Sequence, residues 1–284
     1  MGDESSADHA GAGFAAGLAP WLERLDNLRN VVRQQLVSRQ LDAHLPRTTD
    51  GPLRVLDVGA GQGTQALRLA RAGHTVTAVE PSPGMREAFL RAAAALEGDA
   101  RQRVTLLDGD VTALSHLTSP AAYDVVMCHG VLMYLPESGP AMSQLARCAA
   151  PGALVSVVAR NSDALAWRPS IRHDWTAALH LLDEQERALA EGRDAFYLNE
   201  IGVRARADRP DELMATVERE GLLVEQWYGI RLASDDVGVD APAPPPDELA
   251  RIVDLEERLG RTDPYRRMGT LVHIAARAPS AGDF

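Results

Sequence analysis

Lysine is absent from the 284 residues, and all 29 basic side chains are arginine. Set against 40 acids, they leave a net charge of −11, so the chain as a whole does not attract polyanions. An all-arginine set reads as the imprint of GC-rich coding rather than as a functional trait. Each arginine can nonetheless clamp a carboxylate or phosphate through two hydrogen bonds at once. Cysteine is nearly as scarce. Cys128 and Cys148 are too few for a disulfide framework or a zinc site, and their apolar surroundings suit core packing; no metal is expected. No apolar run approaches the length of a membrane span. The start, MGDESSADHAGAGF, is acidic and rich in small residues, the reverse of a signal or transit peptide. Met1-Gly2 lacks the basic companion signal that lipid anchoring needs. The expectation is a soluble, cytoplasmic α/β protein with insertions and no membrane partner.

What the chain does have is concentrated between Leu53 and Ser82, LRVLDVGAGQGTQALRLARAGHTVTAVEPS. Val55, Leu56 and Val58, with Asp57 set among them, read as a buried parallel strand. Gly59, Gly61 and Gly63 follow at alternate positions, then a helix from Thr64 to Ala72. Glycine lets the backbone bend sharply and lets a ligand approach where a Cβ would collide, and the helix start behind the turn offers unpaired N–H groups. A second strand, Thr75 to Val79, ends at Glu80. In a right-handed βαβ unit the two strand ends lie side by side, so Glu80 can take the vicinal hydroxyls of a ribose whose nucleoside lies over the glycines. A dinucleotide fingerprint would read G-x-G-x-x-G and would receive a pyrophosphate. Here the spacing is G-x-G-x-G behind the acid Asp57, which would repel a pyrophosphate and suit a ligand carrying an ammonium and a sulfonium. That favours S-adenosylmethionine over a dinucleotide.

The remaining elements follow from periodicity. Residues 1–13 read as a disordered tail. Leu18, Trp21, Leu22, Leu25, Leu28, Val32 and Leu36 place one or two amphipathic helices between Phe14 and Leu45. These either pack on the sheet or form a lid over the cofactor from which Arg29 reaches its carboxylate. After Glu80 come a helix at Met85–Leu96 and a third strand at Val104–Leu107, ending in Asp108-Gly109-Asp110-Val111. Asp110 either bonds the exocyclic amine of an adenine, with Val111 beside it, or caps the next turn. The fourth strand, Tyr123–Cys128, leads into His129, which is expected beside the sulfonium with Leu132 to Leu135 as a wall. A helix at Ala141–Ala149 and a fifth strand at Ala153–Ala159 complete the first part. Beyond Asn161 the pattern predicts a long helical segment over Leu165–Glu191, a helix at Asp211–Glu220, a strand at Leu222–Leu232, a helix at Glu248–Leu259 and a last strand at Thr270–Ala276. The division expected is a helical lid at 14–50, a cofactor-binding core at 51–160, a helical cap at 161–210 and completion of the sheet at 211–284 around an inserted helix.

VLDVGAGQG, the acid Glu80, the DGDV at Asp110 and HGVLMYLP after the fourth strand resemble the class I S-adenosylmethionine-dependent methyltransferases. RVLDVGAGQG, the His129 position, GIRL ending at Leu232 and DPYRRMGTLVHIAAR at Asp263–Arg277 are similar to the bacterial tRNA 5-carboxymethoxyuridine methyltransferase group. The resemblance implies a seven-stranded, doubly wound Rossmann-like sheet with its last strand antiparallel. It also implies cofactor contacts from Arg29, Gly59, Ala60, Glu80, Gly109, Asp110 and His129. Asp57, Gly61, Gly63, Pro81 and Val111 complete the candidate cofactor-binding set. The chain departs from that group in lacking a lysine-rich segment before the sixth strand. The corresponding GRDAFYLNEIGVRARADRP carries Arg204, Arg206 and Arg209 interleaved with acids, which weakens the case for a nucleic-acid substrate because phosphate neutralisation supplies much of such affinity.

The function expected is O-methylation of a carboxylate or hydroxyl on a small molecule, with tRNA wobble-uridine carboxyl methylation as the alternative. A non-catalytic cofactor-binding regulator is a third reading, and a dehydrogenase is disfavoured by the glycine spacing. A carboxylate acceptor is already ionised and needs no base, only an arginine clamp, for which Arg168, Arg172, Arg231 and Arg267 are candidates. A hydroxyl acceptor needs a base such as His129 or His173. His129 and Arg231 are the catalytic candidates.

Overall fold

The computed structural model describes residues 24–47, 51–199 and 201–280. The expected tail, and Leu18, Trp21 and Leu22 of the expected N-terminal helices, lie outside the described residues. The strands, in chain order, are β1 (Arg54–Val58), β2 (Thr75–Val79), β3 (Val104–Leu107), β4 (Tyr123–His129), β5 (Ala149–Arg160), β6 (Ala195–Leu198), β7 (Arg204–Ala207), β8 (Leu223–Ile230) and β9 (Leu271–Arg277). The helices are α1 (Leu28–His44), α2 (Thr64–Arg71), α3 (Pro83–Ala94), α4 (Leu114–Leu117), α5 (Gly139–Cys148), α6 (Trp167–Ile171), α7 (Trp175–Ala190), α8 (Pro210–Arg219) and α9 (Pro246–Gly260).

A seven-stranded sheet runs β3-β2-β1-β4-β5-β9-β8. Strands β1 to β5 pair in parallel, and β9 pairs antiparallel with both β5 and β8, so the last strand alone opposes the others, as expected. Strand order reverses at β1/β4, the switch point where ligands of such sheets bind. The central strands are apolar on both sides because both sides are covered. Val55 packs with Leu67, Leu69 and Phe89 of α2 and α3, while Leu56 and Val58 pack with Leu145 of α5 and Leu213 of α8. Cys128 and Cys148 are buried free thiols in this core.

Helix α1 starts at Asn27, whose side chain accepts the Asn30 amide. It lays Leu28, Val32, Leu36 and Val37 on Val158, Ile230 and Leu271 of the sheet and on Val253 of α9. The apolar stripe of this helix is therefore spent on the sheet, and only its edge remains for a ligand.

The segment 161–210, expected as a helical cap, carries a strand pair besides its helices. The long helix divides into α6 and α7 at His173, whose φ of 60° breaks the helical course, and the chain then forms a β6–β7 hairpin. Only Arg204-Ala205-Arg206-Ala207 alternates in residue type. Ala195 and Ala207 turn inward onto Leu165 and Ala188, so the arginines that look like a charge feature are the other face of a strand. No helix of the described residues is long and apolar enough to cross a membrane.

Candidate active site

At the end of β1 the backbone takes three positive φ values, 71° at Gly59, 56° at Gly61 and 87° at Gly63. A Cβ at Gly59 would stand 2.2 Å from Val131 Cγ2 and one at Gly63 would meet the Phe89 ring at 2.7 Å, whereas one at Gly61 would meet nothing within 4 Å. Gly59 and Gly63 are thus packing glycines, and Gly61 leaves open room. The turn is tied to β2: the amides of Gly59 and Ala60 donate to the Val79 carbonyl at 2.8 and 3.2 Å. Glu80 locks the arrangement, accepting the Gly61 amide on Oε2 at 2.8 Å and the Ser82 amide on Oε1 at 2.9 Å. Burial raises its carboxyl above the usual range, partly offset by these two amides.

A cleft of about 200 Å³ opens over this turn. Asp57, Gly59, Ala60 and Gly61 line one side, Glu80 and Pro81 the next, and Asp110, Val111 and His129 the far wall. The structure thus brings most of the candidate cofactor set into one place. Burial pushes the Asp57 carboxyl up to about 7, with Glu80 adding to the rise and the Ala66 amide opposing it. An acid so strained electrostatically lowers its energy by meeting a cation. Asp110 does what a cap does: its Oδ1 accepts the Thr112 amide at 2.8 Å, the Thr112 hydroxyl at 2.6 Å and the Ala113 amide at 3.3 Å. It still faces the cleft. Gly109 lies outside the lining, where a Cβ would meet Leu117 at 2.5 Å, and Gly63 lies outside it too.

His129, the last residue of β4, is held neutral: burial, then Arg33 and Arg68, bring its imidazole down to about 3. Its Nε2 is 2.8 Å from Ser156 Oγ, which is also 2.8 Å from Nε2 of His273; Nδ1 of His273 is 2.7 Å from Gln40 Oε1. Met133, Tyr134 and Leu135 wall the cleft as expected, and Leu132 instead turns into the core.

Arg29 is displaced from its expected role. It does not line this cleft; its Nη2 donates to the carbonyls of Asp235, at 3.0 Å, and Val237, and its Nε lies 3.4 Å from Asp235 Oδ1. Arg33, one turn further along α1, lines the cleft together with Gln34 and Val37. Their signal is present in the sequence as the same helical face four residues on, which periodicity alone cannot index to a cleft.

Next to the cleft lies a cavity of about 590 Å³ that shares Arg33, Met133 and Tyr134 with it. Arginines from separate elements converge here: Arg24, Arg29 and Arg33 near or on α1, Arg160 at the end of β5, Arg168 and Arg172 on and after α6, and Arg231 after β8. Arg231 has a left-handed φ of 62° and donates twice to Asp235 Oδ1, at 2.6 and 2.8 Å. Burial alone would raise the Asp235 carboxyl; Arg231, Arg168, Thr270 and Arg29 outweigh it and hold the group at about 2. Two expected participants are elsewhere. Arg267 pairs with Asp211 at 3.0 Å and sits over Trp227, and His173 stacks on Trp175; neither lines the cleft or the cavity.

Residues 56–157, β1 through most of β5, match the methyltransferase domain family. The chain is an S-adenosylmethionine-dependent methyltransferase. It is 26% identical to the tRNA 5-carboxymethoxyuridine methyltransferase of Escherichia coli K12, over 89% of this chain and 90% of that one. It is 31% identical to a ubiquinone biosynthesis O-methyltransferase of Paracidovorax citrulli over 56% of this chain and 64% of that one. A solved S-adenosylmethionine-dependent methyltransferase from Thermotoga maritima shares the fold, with TM-score 0.57 and 16% identity over 95% of this chain and 99% of that one. So does the 1,6-didemethyltoxoflavin-N1-methyltransferase of Burkholderia thailandensis, with TM-score 0.54 and 17% identity over 99% and 94%.

For a methyltransferase of this class the cleft has suitable chemistry. The Gly61 backbone is open for close approach, and the raised carboxyl of Asp57 suits a cationic ligand.

Proposed function

We propose that this methyltransferase acts in the cytoplasm on an oxygen of a small organic anion, a carboxylate or a hydroxyl, held in the arginine-lined cavity beside the cofactor cleft. The observation that carries the reading is the convergence of arginines on a cavity whose described lining holds a single acid, Asp174, and that acid caps α7 by accepting the Ala177 amide.

In this reading Glu80 takes the ribose hydroxyls, Val111 and the turn at Asp110 flank the adenine, and Asp57 faces the ammonium end. The cofactor supplies a methyl group activated by a positive sulfur. The protein's task is to set an acceptor oxygen in line with it, and positioning of that kind can supply about 7 to 11 kcal/mol at best. Met133 and Tyr134, shared by cleft and cavity, wall the route between the two ligands and exclude water from it. A carboxylate acceptor needs no base. A hydroxyl would need a base, and the burial that brings the His129 imidazole down to about 3 makes it a weak one, which favours the carboxylate.

A second reading, carboxyl methylation on a tRNA wobble uridine, is favoured by the relative aligned along most of both chains. The arginines that would have to replace a lysine-rich RNA-binding segment speak against it. Arg206 is buried on Asp194 and Asp208 at 2.9 and 3.0 Å, Arg209 pairs with Glu212 at 3.4 Å, and Arg204 lies over the Phe196 ring. Incubation with methyl-labelled cofactor separates the readings. Label in a small-molecule extract supports the first, label in bulk tRNA replaces it with the second, and cofactor binding with no label in either leaves a non-catalytic cofactor-binding protein.

A further inference from the structure

We infer that Arg160 is the anion-binding residue of the acceptor cavity and that the molecule it holds presents a carboxylate. The inference rests on the cavity being the acceptor site.

Arg160 closes β5, whose preceding residues Leu154 to Ala159 are all buried. Its own side chain is only 6% exposed. A guanidinium cannot shed its charge, and burying one is costly unless a carboxylate accompanies it. The other two buried arginines obey that rule: Arg29 has Asp235, which it shares with the part-buried Arg231, and Arg206 has Asp194 and Asp208. For Arg160 no ion pair is found among the described residues, and its buried Nε has no hydrogen-bond partner. What it has is the face of Tyr197, 4.8 Å from the ring centre. Stacking uses the face of the guanidinium and leaves the in-plane N–H edges for a ligand.

Position points the same way. Arg160 lines the cavity, and Val158, two residues earlier on the same strand, lines the cofactor cleft. Residues two apart in a strand share a face at a separation of about 6 to 7 Å, so a group on Arg160 sits one step beyond the cleft wall. A carboxylate is planar and accepts the two parallel N–H bonds that a guanidinium edge offers. Tyr197 and Tyr134 add ring surface at the same cavity, which suits an organic body behind the anionic group. The hairpin, absent from the expected fold, is what delivers Tyr197 to Arg160.

The test is isothermal titration of the full chain with benzoate and with its neutral counterpart benzamide, in wild type, Arg160→Met and Arg160→Lys, with S-adenosylhomocysteine titrated into the same samples. The expected result is preference for benzoate in wild type, a loss of about 10- to 100-fold for benzoate in Arg160→Met, as for removing a hydrogen bond to a charged group, and an intermediate loss in Arg160→Lys. Affinity for S-adenosylhomocysteine should stay unchanged, and the melting temperature of Arg160→Met should hold or rise, because an apolar chain relieves an uncompensated buried charge. Equal affinity for benzoate and benzamide, no benzoate binding to wild type, or benzoate affinity untouched by both substitutions would overturn the assignment. So would a fall in the melting temperature of Arg160→Met accompanied by unchanged benzoate binding in Arg160→Lys. If methyl label enters tRNA while benzoate still depends on Arg160, the small-molecule reading fails and the anion site stands.

Discussion

Ser156 Oγ stands 2.8 Å from Nε2 of His129 and joins it to a second buried histidine, His273. The hydrogen-bond order assigns the protons. Gln40 presents Oε1 to His273 Nδ1, so Nδ1 carries the hydrogen and Nε2 of His273 accepts from the serine hydroxyl. The serine oxygen then accepts from His129 Nε2, which leaves His129 Nδ1 as the unprotonated ring nitrogen. Ser156→Ala strips both imidazoles of a partner at a fully buried site and should cost about 1 to 3 kcal/mol in urea unfolding. Nitrogen NMR of the His129 ring should show the Nε2-protonated tautomer in wild type and a mixture in the variant. A single Nδ1-protonated form in wild type would contradict the assignment.

Glu80→Ala removes the acceptor for the Gly61 and Ser82 amides together with the carboxylate that faces the cleft. Binding of S-adenosylhomocysteine, read by calorimetry, should weaken by about 10- to 100-fold, the range for a lost hydrogen bond to a charged group. Glu80→Gln should fall between. Undiminished affinity would place the nucleoside somewhere else.

Asp57 sets a pH dependence whose sign follows from its raised carboxyl, about 7 against 3.8 unperturbed. Between those values the folded chain holds a proton that the unfolded chain has lost. The stability this gives is complete below pH 3.8 and disappears as pH climbs through 7. Asp57→Asn should therefore be more stable than wild type in thermal melts above pH 7. An ammonium beside Asp57 favours the ionised carboxyl, so binding of S-adenosylhomocysteine, which carries one, should release a proton between about pH 4 and 7. Calorimetry in buffers of different ionisation enthalpy would show it in wild type and not in the asparagine variant.

Asp235 is 1% exposed and anchors Arg29 and Arg231. Asp235→Asn leaves both guanidinium groups without that counter-charge and should cost about 3 to 5 kcal/mol. Its carboxyl is held down at about 2, so the wild-type contribution is present above pH 3.8 and fades as pH falls towards 2. Urea titrations at pH 7 and pH 3 should show the gap between wild type and variant narrowing in acid.

The first half of the sheet was legible because β1 to β4 are apolar stretches each followed within a residue by glycine or acid. The expected spans of β2 and β3 agree with the observed ones residue for residue, and Gly59, Gly61 and Glu80 line a common cleft. What stayed hidden depends on contacts distant in sequence. The Ser156–His273 bond spans 117 residues and the His273–Gln40 bond 233, and no local pattern encodes either. Arg29 and Arg33 share a helix face, and only the docking of α1 decides which one meets the cleft. The β6–β7 strands are four residues each, too short to stand out against their own charges. Arg160 follows the expected fifth strand directly, and nothing local reveals that no carboxylate among the described residues pairs with it.

Helix α1 precedes the stretch that matches the methyltransferase family, yet Arg33, Gln34 and Val37 come from it to the cleft and Gln40 to His273. The recognisable domain thus lines only part of the cleft. Seating of this helix and capture of the methyl donor are linked equilibria, so amide exchange along Leu28–Leu41 should slow when the donor site fills. A fragment trimmed to the domain boundaries would forfeit affinity while keeping every glycine of the turn.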